Sequence, residues 1–386
     1  MATAPAGRVV VTVQHPAHVH FFRNAIDELE DRGYDVRVFA REKDVTEALL
    51  EAYGIEYERL AGSAASPLEL AKVQATYEYR LLKRARRLDP DVMLAIGEPG
   101  VAHASAAVDG YSVLFTDTEH ATLSNALALP FADLVCTPRA FWDNHGSAHY
   151  TYPGYHELAY LHPDRFSPDP SVLADLEPQV KAGLPAATDG GAASGGALET
   201  DSGAGTATGP GGSTGGVGDE SLVVLRLISW TAAHDIGQKG MAGVERLVAD
   251  LEREGATVLV SAEGDLPPAL ADRRIDLPPD RMHDLLAHAD LFLGESATMA
   301  IESAVLGTPS LYVSDLDAGV LEELETRYGL LRRLEQDAEP SRVAATAREL
   351  LAIDDSTWRE RRRTLLDETI DTTDFVVNTV ERVSDA

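Results

Sequence analysis

The chain has 386 residues, more than one ordinary domain holds, because single hydrophobic cores stop growing at about 250–300 residues. Hydrophobic residues make up 44% of the sequence, which excludes a wholly disordered chain. The 33 basic residues are outnumbered by 63 acidic ones, and the formal charge of −30 argues against nucleic acid or an anionic membrane as the main partner. This acidic excess is typical of a halophilic protein, in which salt screens the self-repulsion.

The first half of the sequence alternates short apolar runs with helical patterns, which predicts a parallel sheet covered on both faces. One amphipathic helix carries Val19, Phe22, Ile26 and Leu29 on one face and ends at Gly33. Strands are predicted at 8–13, 35–40, 55–60, 91–97, 111–117 and 133–137, and a long helix is predicted at about 68–88.

The second half repeats this alternation after a change of composition. Between about 181 and 220, Gly, Ala, Ser, Thr and Asp dominate, so this stretch buries too little apolar area to fold and reads as an inert, disordered spacer. Strands are then predicted at 222–230, 256–262, 291–294 and 310–314, and helices at 240–254, 281–289, 297–306 and about 356–383.

The single cysteine, Cys136, excludes a disulfide framework and a multi-thiolate metal site, and its apolar surroundings predict an unreactive core residue. No signal peptide is visible, and no apolar stretch approaches the roughly 20 residues of a membrane span. We therefore expect a cytoplasmic protein without a transmembrane segment, and peripheral membrane contact stays open.

The most informative loop follows the strand predicted at 291–294, because ligands of open parallel sheets bind beyond the carboxyl ends of the strands. Gly294 ends the strand, Ser296 follows in a small polar turn, and a helix opens at Ala297. The free N–H groups of such a helix start suit a phosphate. Glu302 lies about 9 Å further along the helix axis, a distance that fits the ribose of a nucleotide. A capped helix with an exposed glutamate explains the motif equally well.

Three histidines, His15, His18 and His20, crowd the loop after the first strand, where Pro16 fits a first helical turn. The positive end of the helix dipole disfavours imidazolium, which keeps a histidine able to accept a proton. We favour a functional role for at least one of them over capping and packing. A zinc site is less favoured, because no acid or thiol stands at ligand spacing.

Two further loops of the first half place carboxylates at strand ends. Glu98 is followed by Gly100, which allows close approach of the backbone, and Asp117, Glu119 and His120 follow the next strand. Such groups can supply a general base for a substrate hydroxyl. A solvated loop held by local hydrogen bonds is the alternative.

The strand predicted at 222–230 leads into Trp230, His234 and Asp235. A histidine at this position would stabilise a leaving diphosphate. His156 and Glu157 lie at the predicted exit from the first half, where we favour a hinge role over a place at the edge of the cleft.

Residues 279–313 resemble the nucleotide-sugar half-site of GT-B glycosyltransferases and of the related UDP-N-acetylglucosamine 2-epimerases. The shared pattern is a helix ending in Ala289-Asp290, a strand, a small polar turn, a helix bearing Glu302, and Gly-x-Pro. The epimerases carry Thr-x-His-Arg-x-Glu-Asn in the loop around His234. This sequence lacks the Arg-Glu-Asn part, which argues against epimerase activity.

Five other motifs resemble an uncharacterised prokaryotic family, domain of unknown function three-five-four, which is regarded as GT-B-like and has no assigned reaction. They are PAHVHFF (16–22), EPG (98–100), TDTEH (116–120), GYHELAYL (154–161) and RLISWTAAHDIG (226–237). The resemblance covers nearly the whole chain outside the Gly-rich insertion.

The resemblance implies a GT-B-like α/β fold, in which two Rossmann-type βα domains face each other across a cleft. We expect an acceptor domain at 1–165, a linker with the disordered insertion at 166–220, a nucleotide-sugar-binding domain at 221–355, and a C-terminal helix at 356–386 that crosses back. The expected activity is glycosyl transfer from a nucleotide-diphosphate sugar to a glycan or lipid-linked acceptor, in envelope or glycan biosynthesis. We expect the transfer to need neither a metal ion nor a resident cofactor.

Two alternatives stay open, a sugar-nucleotide epimerase or hydrolase, and a non-catalytic nucleotide-binding module. The predicted catalytic residues are His18, His20, Glu98, Asp117, Glu119 and His234. The predicted substrate-binding residues are Gly294, Ser296, Ala297, Thr298, Met299, Glu302, Arg226 and Trp230.

Overall fold

The computed structural model describes residues 5–42, 44–62, 67–176, 221–228, 241, 243–262 and 264–384. The insertion predicted at about 181–220 lies outside the described residues. Within them, two parallel sheets form, one in each half of the chain, which confirms the predicted two-domain α/β architecture.

The first sheet has seven parallel strands in the order β3-β2-β1-β4-β5-β6-β7. The strands are β1 (Arg8–Val13), β2 (Asp35–Arg41), β3 (Tyr57–Ala61), β4 (Val92–Ile96), β5 (Tyr111–Phe115), β6 (Leu134–Pro138) and β7 (His149–Tyr152). The helices of this half are α1 (Pro16–Asp31), α2 (Asp44–Ala52), α3 (Pro67–Leu88), α4 (Pro99–Ala106), α5 (Thr122–Ala128) and α6 (Leu158–Leu161).

Strand β1 is buried on both faces, which explains its continuous apolar run. Val9 and Val11 pack in one core cluster with Phe22 of α1, whereas Val10 packs in a second cluster with Leu81 of α3. The strand order reverses between β1 and β4, and the carboxyl edge at such a switch point is where open α/β sheets bind ligands.

The second sheet has the order β12-β11-β10-β8-β9, and it too is parallel throughout. Its strands are β8 (Leu222–Leu227), β9 (Thr257–Ala262), β10 (Leu291–Gly294), β11 (Ser310–Val313) and β12 (Leu331–Leu334). The helices that follow β8 are α7 (Val244–Arg253), α8 (Met282–His288), α9 (Ala297–Leu306), α10 (Gly319–Glu323), α11 (Pro340–Leu351), α12 (Asp355–Asp367) and α13 (Thr372–Ser384).

The C-terminal segment differs from the single helix predicted at about 356–383, because it forms two helices. The backbone N–H of Ile370, between them, donates to the carbonyl of Pro153 in the first domain (2.9 Å). Helix α12 stays with the second domain, where Arg362 donates to the carbonyl of Val305 (2.9 Å).

Helix α13 crosses back to the first domain, as predicted. Thr372 and Thr373 donate through their hydroxyls to the carbonyls of Tyr155 and Ala159, each at 2.7 Å. The ring of Phe375 stacks on Tyr152 with the ring centroids 4.7 Å apart.

At the start of helix α10 the backbones of the two halves come close together. The N–H of Gly319 donates to Oε1 of Glu119 (3.0 Å), and a Cβ at position 319 would overlap the carbonyl oxygen of Ala140. Close by, the hydroxyl of Tyr155 donates to the carboxylate of Glu323 (2.6 Å). This part of the domain contact therefore requires a glycine at position 319. Among the described helices, none has the length and apolar character of a membrane span.

We predict that Gly319→Ala lowers the free energy of unfolding by about 2 kcal/mol or more, because the added Cβ forces backbone apart at the domain contact. The measurement is urea unfolding in molar KCl. The matched control is Gly255→Ala, which has a positive φ of 95° but open space around the Cβ, and should cost only about 1 kcal/mol. Equal losses for the two variants would contradict the overlap.

Candidate active site

Glu98 follows β4 and begins helix α4, where it is buried at 5% exposure. Its Oε2 atom accepts from the hydroxyls of Thr12 (2.6 Å) and Tyr77 (3.4 Å). Burial raises the pKa of Glu98 to about 7, although the hydrogen bonds from Thr12 and Tyr77 act in the opposite direction. The carboxyl is therefore poised to exchange a proton near neutral pH, as a general acid or base requires.

Asp117 follows β5, the neighbouring strand, and pairs with a residue that the sequence analysis assigned to a hinge. Its Oδ2 atom lies 3.2 Å from Nδ1 of His156, and the hydroxyl of Thr118 donates to Oδ1 (2.9 Å). Burial alone would raise the pKa of Asp117, but His156 and the hydrogen bonds lower it to about 2. A carboxylate held ionised against Nδ1 orients the imidazole, as in acid–base dyads.

Glu157 lies next to His156 at the start of α6 and is buried at 3% exposure. Burial raises its pKa well above the ordinary value, and the charges of Asp117 and Glu302 raise it further. Glu157 therefore sits between a carboxylate of the first domain and one of the second. The motif around Glu157, residues 154–161, is one of those that resemble domain of unknown function three-five-four. No local sequence pattern predicts that Glu157 lies near Asp117.

Glu302 of α9 is at the centre of a buried cluster from both domains. Its Oε1 atom accepts from the hydroxyl of Tyr160 (2.8 Å) and from Nε2–H of His283 (2.9 Å). The ring of His20 lies 5.2 Å from that of Tyr160 and 4.6 Å from that of His283, and the Tyr53 hydroxyl lies 3.2 Å from its Nδ1. Helices α1, α6, α8 and α9 therefore meet at one polar point.

This arrangement changes two expectations about the cluster. His20 has a pKa well below the usual value, but burial is the main cause, followed by the charge of His283, rather than the helix dipole. Glu302 is 5% exposed and already bonded, so it is not an open carboxylate awaiting a ribose. His18 lies apart from these bonds, and its Nδ1 accepts from the N–H of Gln14 (3.4 Å) at the start of α1.

The turn after β10 contains both structural and accessible residues. Gly294 is needed for packing, because a Cβ there would lie 2.6 Å from the carbonyl oxygen of Arg226. Arg226 itself donates to the hydroxyl of Ser261 (2.8 Å). Ser296 caps α9 by accepting from the N–H of Met299 (3.3 Å). The four residues of this first turn, Ser296, Ala297, Thr298 and Met299, are only half-buried.

Glu295, which the sequence analysis treated only as part of this turn, holds nearby backbone in position. It is 2% exposed and accepts from the N–H of Ile228 (3.2 Å) and of Met241 (2.6 Å). It thus joins the two ends of segment 229–240. Trp230 and His234 belong to that segment and lie outside the described residues.

The predicted residues therefore fall into separate groups. His20 and Glu302 share one cluster, with Asp117 and Glu157 beside it, whereas Glu119 bonds through Oε1 to the N–H groups of Trp142 (3.2 Å) and Gly319. In the ranges that the structure covers, no three His, Cys, Asp or Glu side chains form a set that could hold a metal ion.

Comparison with solved structures shows that this chain has a GT-B-like class of fold. A Staphylococcus aureus MnaA–UDP co-structure superposes with a TM-score of 0.64 and 12% identity, covering 97% of this chain and 96% of that one. The spinosyn forosaminyltransferase SpnP gives 0.63 and 14%, covering 98% and 99%. A UDP-GlcNAc 2-epimerase from Methanocaldococcus jannaschii gives 0.61 and 10%, covering 97% and 99%. At these identities the likeness concerns the fold.

Within this class, residues 8–153 match the model of a family described as a protein of unknown function, DUF354. The match spans the first sheet and confirms the resemblance predicted from the motifs at 16–22, 98–100 and 116–120, whereas the motifs at 154–161 and 226–237 lie beyond it. No curated protein matches the sequence.

We predict that Glu98 gives the protein a distinct pH dependence. Because burial raises its pKa from 4.5 to about 7, the native chain holds a proton that the unfolded chain has released in that window. The free energy of unfolding should therefore fall by about 3 kcal/mol as pH rises through the window, and Glu98→Gln should remove this fall.

The measurement is urea unfolding of Glu98→Gln and the original chain between pH 4.5 and 8, with exposed Glu51→Gln as control. The stability difference between Glu98→Gln and the original chain should grow in favour of the variant as pH rises. A difference that is constant over this range would show that Glu98 is ionised throughout.

Proposed function

We propose that the protein is a glycosyltransferase that takes its sugar from a nucleotide-diphosphate donor and passes it to a glycan or lipid-linked acceptor. The observation that carries this proposal is the meeting of acid–base side chains from both domains: His20 from the first, and His283 with Glu302 from the second. Near them in the first domain is the Asp117–His156 pair, whose neighbour Glu157 has its pKa raised by the charges of both Asp117 and Glu302. The cited MnaA structure contains UDP, which supports a nucleotide ligand on this fold.

The donor would bind at the second domain. The half-buried first turn of α9 offers the N–H groups of Ala297 and Thr298 and the positive end of the helix dipole to a diphosphate, while Ser296 caps the N–H of Met299. Glu302 would reach the ribose hydroxyls once the bond from Tyr160 is exchanged for bonds to the nucleotide. The nucleotide sugar is the substrate, so the proposal needs no resident cofactor.

The first domain would supply the base. In a direct displacement, a base takes the proton of the acceptor hydroxyl while its oxygen bonds to the anomeric carbon and the nucleoside diphosphate leaves. Of the predicted bases, the Asp117–His156 pair is the better placed, because the Asp117 side chain is 20% exposed. Glu98 has a suitable pKa near 7, but it is 5% exposed and bonded, so it would first have to become accessible to the acceptor. His234, as predicted from the sequence, would stabilise the leaving nucleoside diphosphate.

A sugar-nucleotide epimerase is the second candidate, because solved epimerases match this fold as well as the transferase does. An epimerase or hydrolase would consume UDP-N-acetylglucosamine without an acceptor. A transferase would hold the same donor intact until an acceptor is added. A non-catalytic binding module would leave both the donor and the acceptor unchanged.

We expect a nucleotide-diphosphate sugar to raise the melting temperature of the protein in molar KCl. A ligand at a hundredfold excess over its Kd stabilises the folded state by about 2.7 kcal/mol. The screen compares UDP-, dTDP- and GDP-sugars, with the matching nucleoside monophosphates as controls. If no nucleotide sugar shifts the transition, the glycosyltransferase proposal is wrong.

Tyr160→Phe provides a sharper test of the Glu302 role. It removes the hydroxyl that competes with a ribose for Oε1, so UDP should bind several-fold more tightly, by about 1 kcal/mol. Tyr155→Phe, which loses a comparable bond to Glu323, is the matched control. Unchanged UDP affinity in Tyr160→Phe, measured by calorimetry, would place the ribose away from Glu302.

A further inference from the structure

A cavity of about 420 Å³ opens beside helix α5 of the first domain, separate from the proposed donor turn. Its volume is within the range of small-molecule sites. Its wall includes the polar residues Glu119, Asn125, Asp143 and His145, together with the apolar Ala126 and Leu129. The proposed chemistry assigns no ligand to this cavity.

Three wall residues hold buried polar atoms that, within the described part of the chain, have no hydrogen-bond partner: Oε2 of Glu119, Oδ1 of Asn125 and Nε2 of His145. The two oxygens are acceptors, and the side chains of Glu119 and Asn125 are each 8% exposed. Buried polar atoms are almost always bonded, because leaving one unpaired destabilises the fold. Two such oxygens at one cavity point to a ligand that supplies donors.

The other ends of these side chains fix their orientation. The Asn125 amide donates through Nδ2 to the carbonyl of Thr118 (3.1 Å), so its oxygen is the end left over. Glu119 uses Oε1 for the N–H groups of Trp142 and Gly319, so Oε2 is likewise left over. Both atoms are shielded from water, so solvent does not supply the missing donors.

The charge and shape of the cavity select the class of ligand. Glu119 and Asp143 place two carboxylates in the wall, which disfavours a phosphate or another anion. Ala126 and Leu129 provide an apolar surface beside the acceptor oxygens. A sugar ring has this combination, because its hydroxyls donate at the edge while its C–H groups form an apolar face.

We propose that this cavity binds an uncharged sugar ring, whose hydroxyls donate to Glu119 and Asn125. In the proposed function the ring belongs to the acceptor, and that part of the inference rests on the proposed function. Because Glu119 also holds Gly319 of the second domain, sugar in the cavity would contact the residue that joins the two halves.

The test is saturation-transfer NMR in molar KCl with the methyl glycosides of glucose, galactose, mannose and N-acetylglucosamine. Methyl glucuronide is the anionic comparison. We expect transfer to at least one neutral glycoside and at least tenfold less to the glucuronide. The proposal is overturned if no neutral glycoside receives saturation, or if the glucuronide receives as much.

Two cavity variants and one control variant test where the glycoside binds. Ala126→Trp, at an exposed position of α5, should fill the cavity and reduce the transfer at least tenfold, and Thr122→Trp on the same wall should do the same. Ala75→Trp, at an exposed position of α3 outside the cavity wall, should leave it unchanged. Full transfer in both cavity variants would place the sugar elsewhere.

The melting shift with UDP-sugars separates this inference from the proposed function. Glycoside binding that Ala126→Trp abolishes, without any UDP-sugar shift, would support the cavity and reject the transferase. A UDP-sugar shift without glycoside binding would reject the cavity alone.

Discussion

The carboxylate of Glu302 is the contact on which the relation between the two domains depends. It accepts one hydrogen bond from Tyr160, at the end of the first domain, and one from His283 of the second, while His20 packs against both of those rings. A buried carboxylate is costly unless its lone pairs are filled, so these partners are held together. Any ligand that takes Glu302 must therefore compete with the contact between the domains.

Most of the fold could be predicted, because buried strands covered on both faces read as continuous apolar runs. Strand β10 and helix α9 have the predicted bounds, and the first strand does as well. Strands β7 and β12 escaped prediction. Their sequences, HYTY and LRRL, belong to sheet edges, where exposed tyrosine and arginine side chains replace the apolar pattern.

The site was less predictable, because its decisive contacts join residues far apart in the sequence. The polar loops after the strands drew attention to Asp117 and Glu302, whose functional roles stay predictions. Nothing local shows that Asp117 meets His156, or that Glu302 is bonded to Tyr160 and His283. Gly294 was predicted to bind substrate, because a glycine suits a phosphate-binding turn. The structure gives it a packing role instead, since a Cβ at position 294 would collide with the backbone of the neighbouring strand at Arg226.

The two bonds of Glu295 have a consequence for how this fold can diversify. Since the N–H groups of Ile228 and Met241 both donate to the carboxylate of Glu295, the two described residues that flank 229–240 are held at one point. Closing a longer chain between such ends costs only about 0.6 kcal/mol per doubling of length. The number of residues between Ile228 and Met241 can therefore change at little cost, while both keep their contact with Glu295.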